Sequence, residues 1–79
     1  MKTKMPLKMS ILKAVADSGP AGAEDIIGLL SPDYGKERQF RKAAIENHLM
    51  SLRAVGLIED APGGGMKFMI TAAGQVRLA

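Results

Sequence analysis

The 79 residues of this chain are enough for one small domain, and 47% hydrophobic with 24% charged residues predict a folded protein. The sequence contains no cysteine, which excludes disulfides, thiolate nucleophiles and cysteine-based metal sites. The net charge of +3 is uneven, because residues 1–20 and 36–53 each carry +3 whereas residues 21–35 carry −3. This pattern suits a protein with one face turned toward nucleic acid, but a lysine-rich tail and a solvated helix would give the same totals.

The chain is predicted to begin with a flexible arm, residues 1–6, and an amphipathic first helix, residues 7–18. Leu7, Ile11 and Val15 recur at every fourth position and so share one face of that helix. Ser18-Gly19-Pro20 ends it, with Gly19 as the residue after the helix.

The basic N-terminal segment does not have the pattern of a targeting signal. Lys8, Ser10 and Lys13 interrupt its apolar residues, so the continuous hydrophobic region of a signal peptide is missing. No stretch approaches the roughly 20 apolar residues that span a bilayer. We therefore expect a cytoplasmic protein that makes no contact with a membrane.

A second, short helix is predicted over residues 23–30. Glu24 and Asp25 lie in its first turn, where negative charge is favoured by the helix dipole. Its buried face is expected to consist of apolar residues, namely Ile26, Ile27, Leu29 and Leu30. Residues 31–35 contain proline, aspartate and glycine and predict a turn.

A long third helix is predicted over residues 36–55. Ile45, Leu49 and Leu52 fall at i, i+4 and i+7 and so share its inward face, while Gly56 ends the helix. The opposite face is predicted to carry five residues: Phe40, Ala43, Asn47, Met50 and Ala54. Two interpretations of its apolar members stay open, either packing under neighbouring elements or contact with another protein.

The last part of the chain predicts a β-hairpin over residues 57–70 and a short helix over residues 71–78. The hairpin consists of two apolar strands around a glycine-rich loop. Thr71 can cap the final helix, which Gly74 weakens.

Two segments resemble the winged helix-turn-helix regulators of the ArsR and MarR types. IENHLMSLRAVGLIE, with Ile45, His48-Leu49, Leu52 and Gly56, is similar to the end of their recognition helix and the start of their wing. FMITAAGQVRL is similar to the close of the wing. The resemblance implies one α+β, mainly α, winged helix-turn-helix domain over residues 1–79, with three helices, a two-stranded hairpin wing and a short final helix. It also implies binding of duplex DNA in transcription regulation.

Within that resemblance, basic side chains of the third helix are expected to meet phosphates or guanine, and polar or small ones to face other base edges. Gln39 and Asn47 could pair with adenine, and Ala43 could touch a thymine methyl group. The predicted DNA-binding residues are Lys36, Arg38, Gln39, Arg41, Lys42, Ala43, Asn47 and, near the tip of the wing, Lys67. A homodimer on a two-fold operator is expected, because a single module of this size covers little DNA.

No enzyme, metal site, cofactor or small-molecule ligand is predicted. His48 is the single histidine, so no catalytic triad or histidine cluster can be assembled, and it is expected to pack within the helix. The alternative to DNA binding is a winged-helix module or adaptor that binds protein. That alternative is favoured by Glu59 and Asp60 on the predicted wing and by the apolar stripe. The basic residues at the start of the third helix favour DNA.

Overall fold

The computed structural model describes residues 6–34, 40–63 and 65–79, which form four helices and one antiparallel two-stranded sheet. In chain order the elements are α1 (Leu7–Ser18), α2 (Ala23–Tyr34), α3 (Lys42–Ala54), β1 (Ile58–Asp60), β2 (Phe68–Ile70) and α4 (Ala72–Leu78). The predicted class, α+β and mainly α, is confirmed, and the bounds of the first helix are as predicted.

One apolar cluster holds these elements together, and its members come from all three long helices and from the hairpin. Ile45, Leu49 and Leu52, the predicted inward face of the third helix, are each at most 1% exposed. They pack with the buried face of α1, with Ile26 and with Phe68. The spacing of apolar residues in the sequence therefore gave the core-facing side of α1 and α3 correctly.

The second helix is longer than predicted, since it continues through the expected turn to Tyr34 and contains Pro32. A proline in a helix removes the hydrogen bond that its N–H would give to the carbonyl four residues earlier, here that of Gly28. Gly28 is exposed, so water can satisfy this carbonyl. Of the four predicted core residues of α2, Ile26 is fully buried but Leu29 is 50% exposed.

The third helix begins at Lys42 rather than at residue 36, because the backbone at Arg41 is extended, with φ −127° and ψ 155°. The packing of Phe40 explains the late start. In a continuous helix Phe40 would lie about 140° around the axis from Ile45, facing away from the core. With Arg41 extended, Phe40 instead packs against the core and is partly buried. The placement of Phe40 on the outward stripe was therefore wrong.

The C-terminal end of α3 is closed by a glycine in a left-handed conformation, as predicted. Gly56 has φ +82° and its N–H donates to the carbonyl of Arg53 at 3.1 Å, while the N–H of Leu57 donates to the carbonyl of Leu52 at 3.0 Å. This pair of bonds is the Schellman motif, which satisfies carbonyls left free at a helix end. Leu57 is thereby turned into the core, where it is 8% exposed.

The hairpin is tied to the helices on both of its strands. β1 pairs with β2 in the register Ile58↔Ile70. The guanidinium group of Arg53, at the end of α3, donates hydrogen bonds to both carboxylate oxygens of Asp60 at 2.9 and 3.0 Å. On its other edge, Phe68 exchanges two backbone hydrogen bonds with Ala21, at 2.9 and 3.0 Å. The connection between α1 and α2 thus adds an isolated β-bridge beside β2 that the sequence did not predict.

The final helix is fixed at its start by Thr71 and against the sheet by Gly74. The Thr71 hydroxyl accepts from the Gly74 N–H at 3.1 Å, as the predicted cap, and donates to the Gly56 carbonyl at 2.6 Å. Gly74 is buried, and a Cβ atom there would lie 2.3 Å from the Leu57 carbonyl oxygen and 2.6 Å from Cγ1 of Ile70. The glycine that weakens α4 in isolation therefore permits its close approach to the sheet.

Candidate nucleic-acid interface

One face of α3 is left uncovered by the rest of the described structure. Ala43, Asn47, Met50 and Ala54, four members of the predicted outward stripe, are exposed, and Met50 keeps 52% of its surface. They are exposed because the opposite face is taken up by the core. Met50 and Ala54 thus do not pack under a neighbouring element, and the interpretation of the stripe as internal packing is wrong for both.

An open groove of about 770 Å³ runs beside this face. It is bounded by α3, by the first turn of α2 and by the segment that leads into β2. Leu49 and Phe68 lie at its base, since they line it and are buried. Its exposed lining is of mixed character: Glu24, Asp25, Lys42, Glu46, Asn47, Met50, Met66 and Lys67.

Both lysines of the groove are paired with carboxylates of α2. Lys42 Nζ lies 3.2 Å from Glu24 Oε2, and Lys67 Nζ lies 3.3 Å from Asp25 Oδ2. Roughly half of each lysine side chain stays exposed, so both pairs are in contact with water. With Glu46 as a further carboxylate, the charged side chains that line the groove sum to −1.

Asp25 also caps its own helix. Its Oδ2 accepts a hydrogen bond from the Gly22 N–H at 2.9 Å, which is one half of the capping box that begins many helices. That hydrogen bond, followed by the one from Lys67, lowers the pKa of the Asp25 carboxyl from its ordinary value of 3.8. One carboxylate therefore links the start of α2 to the segment before β2.

This lowered pKa predicts a pH-dependent contribution of Asp25 to stability. Because the folded pKa is below the unfolded one, the contribution is complete above about pH 4–5 and is lost as the pH falls through the folded pKa. Denaturant unfolding of the wild type and of Asp25→Asn should show a stability difference that is constant near neutrality and shrinks below about pH 4. A difference that stays constant down to about pH 2 would contradict the assignment.

The predicted DNA-binding residues fall into three groups. Lys42, Asn47 and Lys67 line the groove together. Arg41 and Ala43 are exposed at the start of α3 but do not line it. The remaining three, Lys36, Arg38 and Gln39, lie outside the described residues.

The acidic partners of the two lysines were missed as site residues. Glu24 and Asp25 were interpreted only as complements of the helix dipole, and their pairing depends on how α3 and the hairpin pack against α2. The sequence held one usable signal, since a carboxylate three residues after Gly22 has the spacing of a capping box.

Residues 6–34, 40–63 and 65–79 contain no group of three or more His, Asp or Glu side chains that could hold a metal ion. His48 is half-buried on α3. None of the helices described is long and apolar enough to cross a membrane.

Comparisons with models of protein families, with curated proteins and with solved structures give no match for this chain.

Proposed function

We propose that this chain is a winged-helix protein that binds duplex DNA, with α3 as its recognition helix and the hairpin as its wing. The observation that carries the proposal is the uncovered face of α3, which starts at a basic N-terminal end and has the hairpin beside it. A B-DNA major groove admits one α-helix of this kind. The element order, with three helices followed by a two-stranded hairpin, supports the winged-helix assignment.

The uncovered face offers both kinds of contact that such binding needs. Arg41 and Lys42 lie at the first turn of α3, where the positive end of the helix dipole also favours phosphate. Ala43, also in the first turn, is small enough to meet a thymine methyl group. One turn further along, the Asn47 amide can pair with an adenine edge. Lys36, Arg38 and Gln39 stay proposed contacts on the strength of the sequence.

The proposed role is transcription regulation, which the resemblance to the ArsR and MarR types implies. One module buries only about 600–1,000 Å² on DNA, so useful specificity calls for two copies on a two-fold operator. The chain would therefore act as a homodimeric regulator without a catalytic reaction.

The test is a salt titration of binding to a short mixed-sequence duplex. Wild-type protein should bind at about 50 mM salt. A plot of the logarithm of the binding constant against the logarithm of the salt concentration should fall steeply, with a slope of about −0.9 for each phosphate neutralised. Changing Arg38, Arg41 and Lys42 together to Ala should reduce that slope by roughly 2.7 and weaken binding at about 50 mM salt by two orders of magnitude or more.

A matched pair of single variants controls for the loss of charge. Lys42 and Lys13 are similarly exposed, at 56% and 55%, and each pairs with one carboxylate. Lys42→Ala should reduce the salt slope by about one, whereas Lys13→Ala on α1 should leave it unchanged. Equal effects of the two variants would mean that net charge, not α3, governs binding. Absence of wild-type binding at about 50 mM salt would overturn the proposal.

The groove favours a second function, binding of a protein partner. Both of its lysines are already paired with carboxylates, it is net acidic, and Met50 and Met66 are exposed along it at 52% and 83%. Flexible methionine side chains are used at adaptable protein-binding surfaces. If wild-type protein fails to bind DNA at low salt, this groove becomes the candidate contact, and Met50→Lys should abolish capture of a partner that wild type retains.

A further inference from the structure

We infer that Glu24 and Asp25 compete with DNA phosphates for Lys42 and Lys67, and so hold the affinity for DNA below what α3 and the hairpin could reach. The inference rests on the proposed function, since it assigns a further role to residues beside the same surface. Neither carboxylate takes part in the proposed DNA contacts.

The two ion pairs join α3 and the segment before β2 to the first turn of α2. Lys42 belongs to α3 and Lys67 to the segment before β2, yet they pair with adjacent residues of α2, at 3.2 and 3.3 Å. They are the basic residues among those that line the groove. Both are therefore already engaged by carboxylates on the surface that DNA would approach.

These pairs can exchange for phosphate. All four side chains are at least 45% exposed, and exposed ion pairs are weak and screened by salt. When a phosphate takes over a lysine, however, the released carboxylate stays within a few ångström of that phosphate. The carboxylates therefore oppose binding twice, by occupying the lysines and by repelling the incoming negative charge.

The effect should be independent of base sequence. Lysine contacts to phosphate position a protein on DNA but do not read bases. Removing either carboxylate should thus raise the affinity for specific and non-specific duplexes by the same factor and leave the ratio between them unchanged. This expectation separates competition at the lysines from a rearrangement of α3 that would alter base contacts.

Two variants remove the charges without removing the atoms that shape the site. Glu24→Gln preserves the length of an exposed side chain. Asp25→Asn keeps an oxygen that can accept from the Gly22 N–H, so the cap of α2 is retained. Asp17→Asn is the control, because it removes one negative charge from an exposed carboxylate–lysine pair of α1 that does not line the groove.

The experiment measures binding of wild type and these three variants to a mixed-sequence duplex between about 50 and 200 mM salt. Lys42 and Lys67 contact phosphate in the complex whether or not the carboxylates are charged, so the log–log slope should stay close to that of wild type in Glu24→Gln and in Asp25→Asn. The carboxylates should instead change the affinity itself, because they oppose binding without altering the number of phosphates contacted. At about 50 mM salt each should bind roughly threefold to tenfold tighter than wild type, and Asp17→Asn should not.

Other outcomes separate the inference from the proposed function. Wild-type binding that neither groove variant strengthens beyond the Asp17→Asn control would overturn the inference and leave DNA binding intact. An absence of DNA binding by all four proteins at about 50 mM salt would overturn both. Far-UV circular dichroism spectra of the variants that match wild type at the assay temperature would show that the comparison is between folded proteins.

Discussion

Leu49→Ala is expected to lower the free energy of unfolding by about 2–5 kcal/mol. Leu49 is 1% exposed and belongs to the apolar cluster that joins the helices to the hairpin. Its truncation removes buried methyl groups and leaves a cavity that the neighbouring side chains fill only in part. A domain of this length has a total stability of roughly 4–12 kcal/mol, so the loss is a large fraction of it. Thermal unfolding followed by circular dichroism should show a Tm lower by roughly 10–30 °C.

The adjacent residue provides the matched control. Met50 is 52% exposed beside the groove, so Met50→Ala removes a side chain of comparable size from water rather than from the core. Its effect should stay within about 0.5 kcal/mol, as is usual for surface positions. Equal losses for the two variants would show that α3 is rotated about its axis relative to the arrangement described here.

Gly74→Ala is expected to destabilise the protein by about 1–2 kcal/mol, although alanine is the better helix former. A Cβ atom at this position would lie 2.3 Å from the Leu57 carbonyl oxygen and 2.6 Å from Ile70 Cγ1. Overpacking of this kind costs about 1–3 kcal/mol, and a backbone oxygen cannot move aside as a flexible side chain can. The helix propensity of alanine offsets up to about 1 kcal/mol of that cost.

Gly28→Ala separates propensity from packing. Gly28 lies inside α2, is exposed, and has no atom within 4 Å of the position that a Cβ would occupy. Here the same substitution should stabilise the protein by up to about 1 kcal/mol. Opposite signs for Gly28→Ala and Gly74→Ala in urea unfolding are therefore expected. Stabilisation by both would mean that α4 does not pack closely on the sheet.

Sequence periodicity was sufficient for features that depend on local geometry. The inward face of α3, the glycine after it and the Thr71 cap each follow from spacing or from the conformational preference of one residue. The start of α3 could not be predicted from local spacing. The sequence pattern is compatible with a longer helix, and the helix begins late because Phe40 gains burial only when Arg41 is extended. That preference is a tertiary effect.

Only part of the candidate site could be predicted from the sequence, again because some of its contacts depend on tertiary packing. The exposure of Asn47 and Lys42 follows from the helical period once the inward face is known. The pairing of Lys42 with Glu24, and of Lys67 with Asp25, joins residues 18 and 42 positions apart in sequence. Such contacts depend on the packing of α3 and the hairpin against α2, which local spacing does not encode.

The backbone bridge between Ala21 and Phe68 has a consequence for the thermodynamics of association. The base of the hairpin is joined by backbone hydrogen bonds to the segment that leads into α2, so two sides of the groove are held in place before any partner arrives. Ordering a backbone residue costs about 1–2 kcal/mol, and at these positions the cost has been met during folding. Calorimetry of binding should accordingly give a heat-capacity change that rigid-body burial of surface explains, with no additional term from coupled folding at the base of the hairpin.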